Sequence, residues 1–174
     1  TVSVSGLSAS QPEGDGGVKA FTFTVSLAQV GVVSQTVGWS VIGAGDHPAD
    51  ASDFVGVLPS GIATFNAGET SQTVTVLVTG DSLVEFDEGF SMVLANPSSG
   101  LMLGASSAGS TIQNDDRPVA SIAVDTASKA EGDAGPTSYS FTVTLDQAAV
   151  EGQTVSWSVA GTVVHGAEAQ DFVG

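Results

Sequence analysis

The sequence of 174 residues contains no cysteine and only three basic residues. Without cysteine, the chain has no disulfide framework, no thiolate metal site and no thiol nucleophile. The three bases stand against 19 acidic residues and leave a formal net charge of −16, which makes nucleic acid and anionic membrane surfaces poor partners. No apolar run approaches the roughly 18 residues that a membrane-spanning helix needs, so we expect no membrane insertion.

What the sequence has instead is a series of short runs rich in Val, Thr, Ser and Phe, separated by Gly, Asn and Asp. Apolar and polar residues alternate within these runs, which indicates β-strands with one buried face. We predict seven strands, A to G, at residues 1–7, 19–27, 35–42, 61–65, 70–79, 90–94 and 107–113. The pattern predicts an all-β fold, an immunoglobulin-like seven-stranded antiparallel β-sandwich with Trp39 buried in its core.

The chain repeats itself with a constant offset of 118 residues and without insertions. Glu13-Gly14-Asp15 returns as Glu131-Gly132-Asp133, Phe23-Thr24-Val25 as Phe141-Thr142-Val143, Trp39-Ser40-Val41 as Trp157-Ser158-Val159, and Asp53-Phe54-Val55-Gly56 as Asp171-Phe172-Val173-Gly174. Self-similarity at a fixed period indicates a tandem repeat. The second copy stops at the equivalent of Gly56, so we predict a tandem repeat whose second copy is incomplete.

These limits predict a complete sandwich over residues 1–116, a short linker at 117–118, and the first half of a second repeat, strands A to C, over 119–174. Pro118 stiffens the linker because its ring fixes φ. The chain begins with Thr1 instead of Met, so we expect a mature or excised piece. We expect the second sandwich to be completed either by neighbouring repeats of the same chain or by identical subunits that add strands.

Eleven of the twelve acidic residues in the first copy fall into four groups that follow predicted strands. The groups are Glu13 and Asp15; Asp46, Asp50 and Asp53; Asp81, Glu85, Asp87 and Glu88; and Asp115 and Asp116. In an up-and-down run of strands, all four groups lie at the same end of the sandwich. Carboxylates from several loops can supply the about six to eight oxygen ligands of calcium, and the lack of cysteine disfavours a softer metal. The alternative is a solvated acidic end without a specific metal.

Five ordered motifs of the first copy carry a family resemblance. They are Glu13-Gly14-Asp15, Asp53-Phe54, Phe65-Asn66-Ala67-Gly68-Glu69-Thr70, Gly80-Asp81 with Glu85-Phe86-Asp87-Glu88-Gly89-Phe90, and Ile112-Gln113-Asn114-Asp115-Asp116. Together they resemble the Calx-beta domain, and the resemblance extends into the first half of the second copy. That family is found in the regulatory loop of sodium–calcium exchangers, in integrin β4 and in large bacterial surface proteins. The resemblance implies a β-sandwich that binds calcium.

The resemblance also implies a set of calcium ligands from four segments: Glu13, Asp53, Asp81, Glu85, Glu88, Asp115 and Asp116. Asp87 lies between matching positions and is expected to face solvent. The family's best calcium sensors carry acids where this sequence has Gly80 and Asn114, and fewer charged ligands predict one or two ions, bound more weakly. The second copy retains only Glu131 and Asp171 of the set, so we expect no complete site there.

No nucleophile motif accompanies these carboxylates, and His47 is expected to be a solvated loop residue, so we predict that the protein is not an enzyme. We expect a calcium-rigidified spacer, stalk or fibre module of an extracellular bacterial adhesin or biofilm-matrix protein, secreted or held at the cell surface. The alternative is a calcium-sensing regulatory module, or a ligand-binding domain, attached to another functional domain.

Overall fold

The structure, a computed structural model, describes residues 1–7, 10–161 and 166–172. The chain divides into two compact units, Thr1–Arg117 and Pro118–Gly174. The described residues contain no α-helix, only one 3-10 turn at Ala169–Asp171. Accordingly, no helix within them is long and apolar enough to cross a membrane.

Within its described residues, the first unit contains eight strands in two sheets. Their bounds are β1 (Val2–Gly6), β2 (Ser10–Pro12), β3 (Gly17–Leu27), β4 (Gln35–Ala44), β5 (Ser60–Phe65), β6 (Ser71–Gly80), β7 (Glu88–Ala95) and β8 (Ser107–Gln113). One sheet has the order β1-β3-β6, and the other has the order β2-β8-β7-β4-β5. The prediction of an all-β sandwich is confirmed.

The predicted strand A corresponds to β1, and the eighth strand, β2, follows it without having been predicted. β1 pairs antiparallel with β3, whereas β2 pairs parallel with β8 in the other sheet. Residues 8 and 9, which connect β1 to β2, lie outside the described chain. Because β2 and β8 run in the same direction, the chain after Pro12 leaves the sandwich at the same end as the chain after Gln113.

Alternate residues of the strands point between the two sheets and form the core, as a period of two predicts. The buried apolar side chains of the two long paired strands are Phe21, Phe23, Val25 and Leu27 of β3 and Val74, Val76 and Val78 of β6. Phe90 of β7 meets three other rings edge-to-face at centroid distances of 5.3 to 6.0 Å: Phe21, Phe23 and Phe54. Each such pair adds about 0.5–1.5 kcal/mol beyond burial, so this aromatic cluster is a main source of stability.

Trp39 departs from the prediction, because it is only partly buried and packs against the margin of the core. It lies on β4 beside the edge strand β5, where its paired residue is Gly61. Since Gly61 has no side chain, the indole ring lies over its backbone, and Cζ2 is 2.8 Å from the place of a Cβ. No further strand lies beyond β5 in this sheet, so the ring stays partly exposed and the prediction of a buried Trp39 is wrong.

The second unit has two strands in its described residues, β9 (Ala120–Val124) and β10 (Phe141–Leu145), which pair antiparallel. The predicted strand C of this copy does not form, since residues 152–161 carry no strand. In the first unit the equivalent strand, β4, pairs with β5 and β7, and residues 118–174 contain no equivalent of either. Its apolar side chains are consequently exposed, and Trp157 shows 78% of its surface.

Candidate metal centre

The strand pairings place the four acidic segments at one end of the first unit. At this end β2, β4, β6 and β8 finish, while β3 and β7 begin. Acids that follow these strand ends therefore meet, although they are far apart in sequence. We call this group the acidic end, and it comprises Glu13, Asp53, Asp81, Glu85, Glu88, Asp115 and Asp116.

Glu13 follows β2 and is buried, with 6% of its surface exposed. Its backbone N–H donates a hydrogen bond of 3.1 Å to the carbonyl oxygen of Gln113, which holds it beside the end of β8. Burial raises the pKa of its carboxyl to about 7, and all the neighbouring charges that add to this rise are acids: Asp81, Glu85, Asp116 and Asp53. Such a carboxyl is stable only with a proton or a cation beside it.

Gly80 allows the segment of Glu13 to lie against the end of β6. A Cβ at position 80 would overlap the backbone carbonyl oxygens of Glu13 and Gly14. Any side chain here, including that of an Asp, would therefore push the two segments apart. Gly80, which the sequence comparison with calcium sensors treated as a missing acid, is a structural requirement for the approach of Glu13 to the loop after β6.

Asp53 and Glu88 form a close pair of acids beside Glu13. Asp53 is buried, with 8% of its surface exposed, and its Oδ2 accepts a hydrogen bond of 2.6 Å from the backbone N–H of Asp50. Glu88 is the first residue of β7 and pairs with Ile112 of β8. Burial, together with a hydrogen bond to Asp53 and the charge of Asp53, raises the pKa of Glu88 to about 8. Near neutral pH the carboxyl of Glu88 therefore keeps a proton when no cation is bound.

The loop between β6 and β7 contributes Asp81 and Glu85. Oδ1 of Asp81 accepts a hydrogen bond of 2.7 Å from the backbone N–H of Leu83, which closes a local Asx turn. Glu85 is partly buried. Burial raises the pKa of its carboxyl, and the charges of Asp81 and Asp53 raise it further. This loop thus brings carboxylates towards both Glu13 and Asp53.

Asp115 and Asp116 follow β8 and complete the acidic end. Oδ1 of Asp115 accepts a hydrogen bond of 3.0 Å from the backbone N–H of Gly14, which ties β8 to the segment of Glu13. Oδ2 of Asp116 is buried and has no hydrogen-bond partner. Burial raises the pKa of Asp116, as do the charges of Asp15 and Asp115. A buried carboxylate oxygen without a donor is costly, and a bound cation would remove that cost.

Further residues belong to the site although the ligand set did not include them. Asp50 adds negative charge beside Glu88, and Asp15 does so beside Asp116; both were visible in the acidic groups of the sequence. Asn114 hydrogen bonds to Glu85 and Asp116 of the acidic end and to Asp87, and its place between a strand end and two Asp residues is a signal for an Asx turn. Asp87 is exposed, as expected.

His47 is exposed but is not a free loop residue. Its ring stacks on Phe86 of the β6–β7 loop, with a centroid distance of 4.0 Å and an interplanar angle of 11°. Its carbonyl oxygen accepts a hydrogen bond of 2.8 Å from the backbone N–H of Gly89. These contacts join the loop of Asp53 to the loop of Glu85. His47 is thus an exposed loop residue, as expected, and in addition packs on the β6–β7 loop.

The acidic end fits calcium in its chemistry, although its side chains are not already gathered around one point. In the described ranges, no group of three or more His, Asp or Glu side chains has the geometry to hold a metal ion. The donors are hard oxygens, the charges that raise their pKa values are all acids, and one buried oxygen lacks a partner. Calcium accepts about six to eight oxygens in a flexible geometry, so the chemistry of these residues suits it once their side chains converge on one point.

The second unit has no comparable concentration of acids. Its residues equivalent to the ligand set are Glu131 and Asp171, and both are exposed. The segments that would correspond to the β6–β7 loop and to the end of β8 have no counterpart in residues 118–174.

A family model described as the Calx-beta domain matches residues 2–116. Among solved structures, CBD12 from CALX1.2 is similar at 24% sequence identity with a TM-score of 0.55, covering 65% of this chain and 45% of that chain. The calcium binding domain CBD12 of CALX1.1 is similar at 24% identity with a TM-score of 0.55, covering 65% of this chain and 46% of that chain.

The apo-form Calx CBD1 domain is similar at 22% identity with a TM-score of 0.51, covering 66% of this chain and 98% of that chain. At these identities the structural likeness shows the fold. The chain spans less than half the length of the two CBD12 structures, at 45% and 46%. No curated protein sequence matches the chain.

Proposed function

The chain belongs to the Calx-beta domain family, and on that premise we propose that its first unit binds calcium at the acidic end. The observation that carries the proposal is the burial of Glu13, Asp53 and one oxygen of Asp116 in a group whose neighbouring charges are all acids. Like charges at this density oppose folding unless protons or a cation neutralise them. Calcium suits the group because every donor is a hard oxygen.

The ligands come from four segments, so one or two ions join parts of the chain that are far apart in sequence. They are Glu13 after β2, Asp53 after β4, Asp81, Glu85 and Glu88 around the β6–β7 loop, and Asp115 and Asp116 after β8. Calcium that binds only the folded form stabilises it by about 2.7 kcal/mol at a concentration 100-fold above the dissociation constant. Because Glu13 and Glu88 hold protons near neutral pH, binding also displaces protons.

The wider role that we propose is mechanical, in a spacer, stalk or fibre of an extracellular bacterial adhesin or matrix protein. The repeat at a constant offset and the short Arg117-Pro118 connection support it. Asp115 and Asp116 directly precede that connection, so calcium that orders them would also restrain the chain that leads into the next repeat. No residue has a catalytic assignment in this proposal.

The alternative is a regulatory calcium sensor, or a ligand-binding domain, attached to another functional domain. The number of repeats in the full-length protein discriminates between the two, since many consecutive copies favour a stalk. One or two copies beside a membrane or catalytic domain favour a sensor.

The partners that we propose complete the second sandwich. In the first unit β3 pairs along its length with β6, whereas β10 has only β9 beside it among the described residues. A strand resembling β6 would satisfy that edge. Neighbouring repeats of the same chain, or identical subunits that add a strand, can supply it.

Thermal unfolding of residues 1–174 tests calcium binding. Millimolar calcium is expected to raise the melting temperature of the first unit by several degrees relative to chelator. The variant with Asp115→Asn and Asp116→Asn should lose most of this increase.

The matched control changes the acids of the second copy, with Glu131→Gln and Asp171→Asn, and should keep the full increase. Equal melting temperatures with calcium and with chelator would overturn the proposed function. So would an increase that both double variants retain.

A further inference from the structure

We propose that Asn114 is a positioning residue of the acidic end, and that its side-chain amide strengthens calcium binding more than a carboxylate at the same position would. The inference rests on the proposed function, because it concerns the same site. Asn114 follows β8 directly and is partly buried. In the sequence it reads as an acid that has been lost from a row of three, and the structure assigns it a different role.

Three hydrogen bonds join Asn114 to the two acidic segments on either side of it. Its backbone N–H donates to Oδ1 of Asp87 at 3.1 Å, and its side-chain Nδ2 donates to the carbonyl oxygen of Glu85 at 2.6 Å. Its Oδ1 accepts from the backbone N–H of Asp116 at 2.9 Å. One residue thus connects the β6–β7 loop to the segment after β8.

The partners determine which atom of the amide faces which segment. The carbonyl oxygen of Glu85 can only accept a hydrogen bond, and the backbone N–H of Asp116 can only donate one. A neutral amide group carries both a donor, its NH2 group, and an acceptor, its carbonyl oxygen, so it can hydrogen bond to both partners. Asn does so with a side chain of this length, whereas an ionised Asp has no donor for Glu85.

Both connections hold a ligand of the acidic end. The bond to the Glu85 carbonyl restrains the backbone from which the Glu85 carboxylate projects. The bond from the Asp116 N–H restrains the residue whose Oδ2 is buried without a partner. The backbone that carries two of the carboxylates, in different segments, is therefore restrained before calcium binds, and less ordering is left for the binding step.

The number of charged ligands, taken alone, predicts the opposite effect on calcium affinity. An additional carboxylate in the site should strengthen calcium binding if ligand charge alone sets the affinity. In this structure an Asp at position 114 would place a carboxylate oxygen against the Glu85 carbonyl, where the amide nitrogen now lies at 2.6 Å. It would repel that carbonyl and release the β6–β7 loop. The two predictions therefore differ in the direction in which Asn114→Asp changes the calcium affinity.

The experiment is a calorimetric calcium titration of residues 1–174 carrying Asn114→Asp or Asn114→Ala. We expect either substitution to weaken calcium binding by about 5- to 30-fold, which corresponds to the loss of one to two hydrogen bonds of about 1 kcal/mol each. Asn96→Asp is the matched control, because it adds the same charge in a segment that follows β7 at Ala95, away from the acidic end. It should change the affinity less than twofold.

A double-mutant cycle separates positioning from a general loss of stability. Because Asn114 acts partly through Glu85, the effect of Asn114→Ala on the calcium dissociation constant should shrink in a Glu85→Gln background, where the remaining effect runs through Asp116. Multiplicative effects of the two substitutions would overturn the inference, as would an Asn114→Asp protein that binds calcium as tightly as the original or more tightly. Either result leaves the proposed function standing, whereas an original chain that binds no calcium would overturn both.

Discussion

The two units of this chain carry closely similar sequences and share their local geometry. In the first unit Val4 pairs with Val25, and in the second Ile122 pairs with Val143 at the equivalent positions. Each hairpin-like pair spans five residue pairs, and every pair is displaced by the same 118 positions. Strand register between these two segments therefore needs nothing from the rest of the sandwich.

Single hydrogen bonds and turn conformations also recur at equivalent positions of the two units. Oδ2 of Asp53 accepts from the N–H of Asp50 at 2.6 Å, and Oδ2 of Asp171 accepts from the N–H of Glu168 at 2.7 Å. Gly14 and Gly132 have φ values of 82° and 84°, in the left-handed region that glycine adopts at little cost. Turns of this kind are properties of the local sequence.

Burial, in contrast, separates the two units completely. Phe23 is fully buried, whereas the equivalent Phe141 exposes 52% of its surface. The difference arises because β6, β7 and β8 cover the first unit's β3 and β1, and residues 118–174 contain no equivalents. The comparison teaches that the pairing of β1 with β3 is determined locally, whereas the core and the acidic end require strands that come later in the sequence.

The largest expected difference between the units comes from replacing their equivalent phenylalanines, Phe23 and Phe141, with alanine. Phe23→Ala should lower the free energy of unfolding of the first unit by about 3–5 kcal/mol, because it opens a cavity beside Phe90. Phe141→Ala should change that value by less than about 0.5 kcal/mol. Chemical denaturation of the 174-residue chain with chelator present measures both.

Similar losses from the two substitutions would break the comparison. They would mean that Phe141 also contributes to a cooperative core, and that the second unit is more complete in solution than its exposed surface indicates. The slope of free energy against denaturant would then also exceed the value expected for one sandwich of about 117 residues.

The second prediction concerns the equivalent acids Glu13 and Glu131. In chelator at pH 8, Glu13→Gln should raise the free energy of unfolding of the first unit by about 1–3 kcal/mol, since it removes a buried charge among acids. It should also weaken calcium binding. Glu131→Gln, at an exposed position, should do neither, and denaturation with and without calcium measures both effects.

Two acids of the acidic end, Glu13 and Glu88, set the direction in which stability depends on pH. The pKa of Glu13 rises to about 7 and that of Glu88 to about 8 in the folded state, from an ordinary value of 4.5. Between about pH 5 and pH 8 the folded protein therefore binds more protons than the unfolded chain, and metal-free stability falls as pH rises. Calcium affinity should rise over the same range, because protons compete less. A metal-free protein that becomes more stable from pH 5 to pH 8 would contradict the arrangement.

The smallest expected effect belongs to the stack of His47 on Phe86. His47→Ala should weaken calcium binding about two- to fivefold, because exposed ring stacking contributes only about 0.5–1 kcal/mol, and His47→Phe should restore most of the affinity. His165, the equivalent residue of the second copy, lies outside the described residues, and the sequence holds no counterpart of Phe86 for it. His165→Ala is therefore the matched control in the calcium titration. Equal losses from the two alanine variants would show that the stack does not act on the site.

Much of the fold was predictable because its signals are local. The alternation in β3 and β6 predicted their buried faces, and the acidic groups predicted which end of the sandwich would be charged. The additional strand β2 was not predicted, because it forms by pairing with β8, a partner about 100 residues later in the sequence. Trp39 was misjudged for a similar reason, since its exposure depends on the edge position of β5 and on Gly61.

Some features of the site were likewise predictable from the sequence and others were not. The acids themselves were visible as residue types in the right loops, whereas Gly80 and Asn114 looked like missing ligands. Only the approach of the Glu13 segment to β6 shows why position 80 excludes a side chain. Only the hydrogen bonds of Asn114 to Glu85 and Asp116 show what its amide does.

The sequence by itself determined the strand periodicity, the repeat, the turns and the concentration of negative charge, because each depends on neighbouring residues or on composition. The tertiary structure alone decided which carboxylates are buried together, and which of two equal phenylalanines lies in a core. Those outcomes depend on contacts between strands that are distant in sequence. The first unit has the later strands that make such contacts, and residues 118–174 do not.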